Sequence, residues 1–116
     1  MNINHPELVT ALVKPGAAIL ETLSPEKADL LHAAVGVSGE AGELLDAVKK
    51  HVIYNKPIDR ENVVEELGDL EFYMEQLRQN LGITREETLA ANIAKLSVRY
   101  ASLTYSDAAA QQRADK

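Results

Sequence analysis

Apolar residues at Leu30, Ala34, Val37, Ala41, Leu44, Val48 and Val52 recur in steps of four and three, the spacing of one face of a helix. Ser24-Pro25 precedes them, an N-cap residue followed by proline at the first helical position, and Asn55, Lys56 and Pro57 stop the run. A second series, Val63, Leu67, Leu70, Met74, Leu77 and Leu81, starts behind Asp59 as a possible N-cap and ends at Gly82, where a C-terminal glycine belongs. Thr84-Arg-Glu-Glu87 then reads as a capping box that opens a helix through Leu89, Ile93, Leu96 and Tyr100. The pattern is weaker over residues 6–23, where Pro15-Gly16 separates two short helical stretches. Residues 106–116 form an alanine-rich tail, either a short helix or a frayed end. No strand pattern emerges, so the spacing predicts an all-α chain of four to five helices. It reads as a single domain over residues 1–116, with 1–23 weakly defined.

Each long helix offers one narrow apolar stripe, so the helices pack side by side at a shallow angle. A few helices of this length bury limited surface, which predicts self-association into a larger bundle rather than a monomer.

Composition narrows the chemistry. Aromatic residues make up 4% of the 116 residues, so the core is aliphatic, and the absence of cysteine removes disulfides, thiolate nucleophiles and zinc–thiolate sites. The net charge of -6, with no basic run, excludes a general nucleic-acid binder. Charges interrupt every apolar stretch well before a membrane span's length. The opening MNINHPELV has neither the basic start nor the apolar centre of a signal peptide, and a cytoplasmic protein is expected.

Two acidic pairs stand in matching places. SGEAGELLD carries Glu40 and Glu43, and EELGD carries Glu66 and Asp69, each pair three apart with a glycine, Gly42 or Gly68, before its second acid. Each acid sits one residue before a stripe position, about 100° around the helix, so each pair lies on one flank of its stripe. Antiparallel packing brings both flanks to a shared groove. Four converging carboxylates repel one another and resist ionising, and a divalent cation removes that conflict. Oxygen-only ligands suit Mg²⁺, with Mn²⁺ as a substitute. Eighteen acids also produce such pairs by chance, so solvated helix flanks are the alternative on spacing alone. A di-iron carboxylate site fits less well, because neither pair has histidine at the third step.

These residues closely resemble the MazG-like all-α nucleoside triphosphate pyrophosphohydrolases, whose signature E-x-x-E followed by E-x-x-D on the next helix appears as Glu40-Ala-Gly-Glu43 and Glu66-Leu-Gly-Asp69. The wording around them, GVSGEAGELLDAVKK and VVEELGDLEFY, is also similar. So is the segment from Asn92 through Lys95 and Arg99 to Tyr100, and the tail TYSDAAAQQRADK with Arg113. The resemblance runs from about His32 onward. It departs at Ala101, where members often have proline, and the chain holds one module, like the short proteins of phage and mobile-element type.

The resemblance implies a helical bundle completed by oligomerisation, as a homodimer or a homotetramer built from two dimers. It implies Mg²⁺-dependent cleavage of a (d)NTP between the α- and β-phosphates, giving a monophosphate and pyrophosphate. Glu40, Glu43, Glu66 and Asp69 would hold the metal, and Glu43 or Glu40 would take the proton from the attacking water. Asn92, Lys95 and Arg99 would face the phosphates, with ordinary surface pairing as the alternative for the two cations. Tyr73, Phe72 and His32 are candidates for a base pocket, or else core or interface packing residues. Two other readings are a non-catalytic helical dimer that binds a nucleotide or protein, and a relative acting on another substrate, such as a dimeric dUTPase or phosphoribosyl-ATP pyrophosphohydrolase.

Overall fold

The computed structural model describes residues 2–116. Its elements are α1 (His5–Leu12), α2 (Gly16–Thr22), α3 (Pro25–Val52), α4 (Arg60–Leu81), α5 (Arg85–Arg99) and α6 (Asp107–Gln112), with no strand among the described residues. The all-α expectation holds, and the sixth segment is the tail's own short helix. No described helix is long and apolar enough to cross a membrane.

Local chemistry sets the ends of the long helices where the sequence places them. Ser24 accepts a hydrogen bond from the Lys27 amide at 3.2 Å, and Pro25 fills the first turn. Lys49, Lys50 and His51 occupy the last turn of α3, where positive charge complements the exposed carbonyls. Asp59 caps α4 through the Asn62 amide at 3.0 Å, and Thr84 caps α5 through the Glu87 amide at 3.0 Å. Gly82 ends α4 at φ 68°, a left-handed conformation that glycine adopts without steric cost.

Helices α3 and α4 form an antiparallel hairpin. Glu40 meets Glu66 and Asp69, while His32 and Gly36, earlier on α3, meet Tyr73, later on α4. The seam differs from the apolar stripes of the sequence. On α3 the covered positions include Leu30, Ala33, Val37, Glu40, Leu44 and Ala47; on α4 they include Val63, Glu66, Leu70, Tyr73 and Leu77. Both sets step by three and four, as a shallow crossing requires. Val48, Val52, Leu67 and Leu81 instead face outward, with Val52 65% exposed.

The small residues Ala33, Gly36 and Ala47 let α4 approach α3 between the larger seam side chains. Ala33 and Ala47 are the buried apolar residues, and no large side chain is fully buried among the described residues. At Gly36 the ring of Tyr73 lies where a Cβ would stand. Gly42 and Gly68 have no chain atom within 4 Å of an added Cβ, so packing within the chain does not explain them.

Outside the hairpin the chain is open. Its radius of gyration is 20.1 Å, against about 13 Å for a compact 100-residue domain. The closely packed helix pairs are α3 with α4 and α5 with α6. Residues 85–98 of α5 are all exposed.

Gly36→Ala is expected to lower stability by about 1–3 kcal/mol, because the new methyl displaces the Tyr73 ring. Gly39→Ala, which meets open space on the same helix, is expected to cost nothing and to gain up to about 1 kcal/mol of helix propensity. Urea unfolding midpoints of the two variants measure the contrast.

Candidate metal centre

The register of the hairpin puts two acids into the seam itself. Glu40 and Glu66 occupy seam positions and are half-buried, whereas Asp69, three residues after Glu66, is exposed at its edge. Each of the three offers a carboxylate oxygen, and these oxygens lie within 4.8 Å of one another. Glu43, the fourth acid of the signature, is exposed and lies outside this close group. It is still near enough for its charge to act on Glu66.

The electrostatics concentrate on Glu66. Its carboxyl is pushed above the ordinary value of 4.5, first by the hydrogen-bonding influence of the neighbouring Glu40 carboxyl. Burial follows, and then the negative charges of Glu40, Asp69 and Glu43. Glu66 Oε2 is inaccessible to solvent and has no hydrogen-bond partner. A buried polar atom without a partner is costly unless something satisfies it. An all-oxygen donor set around such an atom fits a hard divalent cation, whose charge reverses the repulsion that raises the Glu66 pKa. Glu40, Glu66 and Asp69 are the residues that can hold it. Glu65 is exposed on α4.

One helical turn along the seam, aromatic side chains border the carboxylates. Tyr73 follows Asp69 by four residues, and its ring lies on Gly36, four residues before Glu40. The His32 ring stands edge-on to it at 5.9 Å and 71°, and Phe72 at 5.1 Å and 85°. Tyr73 is therefore a seam residue first, half-buried, with exposed His32 beside it.

The α5 residues are not brought to this place within one chain. Asn92 and Lys95 are exposed, and Asn92 lines a groove of about 340 Å³ with Leu96, Tyr100 and Tyr105, away from the carboxylates. Arg99 is held by the tail: its Nε and Nη2 donate to the two oxygens of Asp115 at 2.9 and 3.2 Å. Sequence spacing gives no sign of Asp115, because the pair spans sixteen residues and joins the end of α5 to the turn beyond α6. Arg78 was also missed. It is 7% exposed near the end of α4, with Glu75 at 3.1 Å and Glu71 at 3.7 Å, and the three- and seven-residue spacings of those acids are the signal that marks it.

The family model described as MazG nucleotide pyrophosphohydrolase domain matches residues 31–104, which include both acidic pairs and the α5 segment. No curated protein and no solved structure matches the chain.

Because the fold raises the Glu66 pKa, the folded chain keeps that proton over a pH window in which the unfolded chain has lost it. The Glu66 contribution to metal-free stability therefore falls as pH rises through that window. Metal-free Glu66→Gln is expected to melt above the wild type at neutral pH, with the gap closing as pH falls into the ordinary carboxylate range. Added Mg²⁺ or Mn²⁺ is expected to raise the wild-type melting temperature and to leave Glu66→Gln nearly unmoved. Thermal unfolding in chelator and in metal, across the acidic to neutral range, checks both.

Proposed function

The chain belongs to the MazG nucleotide pyrophosphohydrolase family, and from that premise we propose that it hydrolyses a (d)NTP between the α- and β-phosphates with the help of Mg²⁺. The observation that carries this reading is the Glu40–Glu66–Asp69 group with its unsatisfied buried oxygen. Mg²⁺ there supplies neutralisation of the triphosphate charge and acidification of water. Water oxygen bonds to the α-phosphorus, the bridge to the β-phosphate breaks, and pyrophosphate leaves with the bridging oxygen. Glu43, outside the close group, keeps a carboxylate free to take the water's proton, and Glu40 is its alternative. Tyr73, one turn from Asp69, and His32, edge-on to its ring, are the residues this reading assigns to the base or sugar.

Asn92, Lys95 and Arg99 supply donors to the phosphates in this reading. Since α5 stands away from the hairpin, they reach a triphosphate at the carboxylates only in an assembly. We therefore propose a homodimer or a pair of dimers, supported by the outward stripe of Val48, Val52, Leu67 and Leu81 and by the open protomer. The net acidic sequence without a basic run supports a chain that binds neither nucleic acid nor membrane, in a cytoplasmic setting.

The decisive experiment is a panel of (d)NTPs with Mg²⁺ in which the products are resolved. Monophosphate plus pyrophosphate is expected; diphosphate plus orthophosphate overturns the assigned bond, and no turnover in Mg²⁺ or Mn²⁺ overturns the enzyme reading. Glu40→Gln and Asp69→Asn are each expected to lower kcat by at least about a hundredfold with the helical signal intact.

Light scattering is expected to give two or four times the 12.7 kDa chain mass. Leu67→Lys, a charge on the outward stripe, is expected to shift that mass downward. A monomeric wild type refutes the assembly.

A further inference from the structure

The last residues of the chain form a folded clip rather than a loose end. Leu103 and Arg113 adopt left-handed backbone at φ 55° and 52°, each reversing the chain. Between them, Ser106 caps α6 through the Ala109 amide at 3.0 Å, Tyr105 donates to Asp107 at 2.5 Å, and the Arg113 amide returns to the Ala109 carbonyl at 3.1 Å. The rings of Tyr100 and Tyr105 sit 5.7 Å apart across the bend. Together these local devices deliver Asp115 to Arg99, the last residue of α5. The resulting fork is enclosed: the side chains of Arg99 and Asp115 are 16% and 6% exposed. Arg99 in turn holds the Asp115 carboxyl below the usual carboxylate range.

Such a fork differs from an ordinary surface ion pair. Arginine ends α5 at a point where the helix stops, at Tyr100 with φ -119° and ψ 67°, and the rest of α5 is exposed. A long side chain there keeps many rotamers unless something fixes it. Asp115 uses the Nε and Nη2 donors on one side of the guanidinium, and of the three other N–H donors one is within the influence of the Tyr100 hydroxyl, which leaves two for another anion. A guanidinium gripped on one side is preorganised for a planar, two-point contact with phosphate oxygens on the other.

We propose that Asp115 is a positioning residue for Arg99, so that the C-terminal clip is part of the phosphate-binding apparatus. The inference rests on the reading of Arg99 as a phosphate donor. In it, Asp115 touches no substrate and acts only through the arginine.

The test uses inorganic tripolyphosphate with Mg²⁺, which presents phosphates without a base, titrated calorimetrically into the full-length wild type, Arg99→Ala, Asp115→Ala, Asp115→Asn, Asp115→Glu and the double alanine variant. Arg99→Ala is expected to weaken binding about tenfold and Asp115→Ala about three- to tenfold, with the double variant no weaker than Arg99→Ala alone. Asp115→Glu is expected to recover most of the loss. With a turned-over (d)NTP, Asp115→Ala is expected to raise KM and leave kcat nearly unchanged. Asp115→Asn keeps the shape of the side chain and removes its charge, and it takes the place of Asp115→Ala if that variant does not fold.

Unchanged binding in Arg99→Ala, or none in the wild type, overturns the phosphate reading of Arg99 and the positioning role with it. An Arg99→Ala loss with no loss in Asp115→Ala, or losses that multiply in the double variant, overturns the positioning role alone. Tighter binding in Asp115→Ala also overturns it, because the carboxylate is then a competitor for Arg99.

Discussion

The repulsion among Glu40, Glu66 and Asp69 is the constraint around which the hairpin is arranged. Two helices pack most stably when their seam is apolar, yet this seam holds a glutamate on each side, opposite one another. The carboxylates are too close to ionise independently, and the Glu66 carboxyl is pushed above its ordinary value. One of its oxygens is left buried and unpartnered. A helix pair under stability alone would place leucine there. Seam positions that break the packing rule locally are where function is expected to reside.

Glu40 and Glu66 also explain what was legible in the sequence and what was not. Helix boundaries were readable because their signals are local: Ser24-Pro25, Asp59, Gly82 and Thr84 each act within one turn. The seam was readable only in part. A search for apolar periodicity finds Leu30, Val37 and Leu44, which are in the seam, but continues through Ala34, Ala41 and Val48, which are not. It cannot choose Glu40 or Glu66 as seam positions, because they are charged. The true face runs through them, with Ala33 and Ala47 as its other markers. Nor does apolar periodicity mark Gly36, where the opposite helix meets the backbone through the Tyr73 ring. The acidic signature was legible as a motif, but its members are not equivalent: Glu40 and Glu66 lie inside, Asp69 closes the edge and Glu43 stands apart. Contacts across long sequence separations, such as Arg99 with Asp115, leave no periodic trace at all.

The small seam has an energetic consequence. Alanines at positions 33 and 47 and the glycine at 36 let the helices approach closely, which brings carboxylates from both helices within reach of one point. Small residues also bury little apolar surface, and the stabilisation from burial scales with that area. The large aliphatic residues that normally supply it, among them Val52 and Leu67, are on the outside. Close approach at the site and a deep intrachain core are thus alternatives, and the hairpin takes the first.

A protomer built this way depends on what binds its native state. Whatever associates with the folded chain and not with the unfolded one adds to stability by mass action. Two surfaces here call for such a contribution, and they lie on neighbouring faces of the same two helices. One is the acidic seam, where a cation relieves repulsion; the other is the outward stripe, where apolar cover replaces water. Because Glu40 is adjacent to the stripe residue Ala41, and Glu66 to Leu67, a shift of either helix moves both surfaces together. Cover over the stripe would therefore fix the spacing of the carboxylates, and a cation between them would fix the orientation of the stripe. In the proposed assembly, folding, association and metal binding would be coupled through the rotation of α3 against α4. The tail adds a third element at the far end of α5, where order in the chain's last residues is converted into the orientation of one guanidinium.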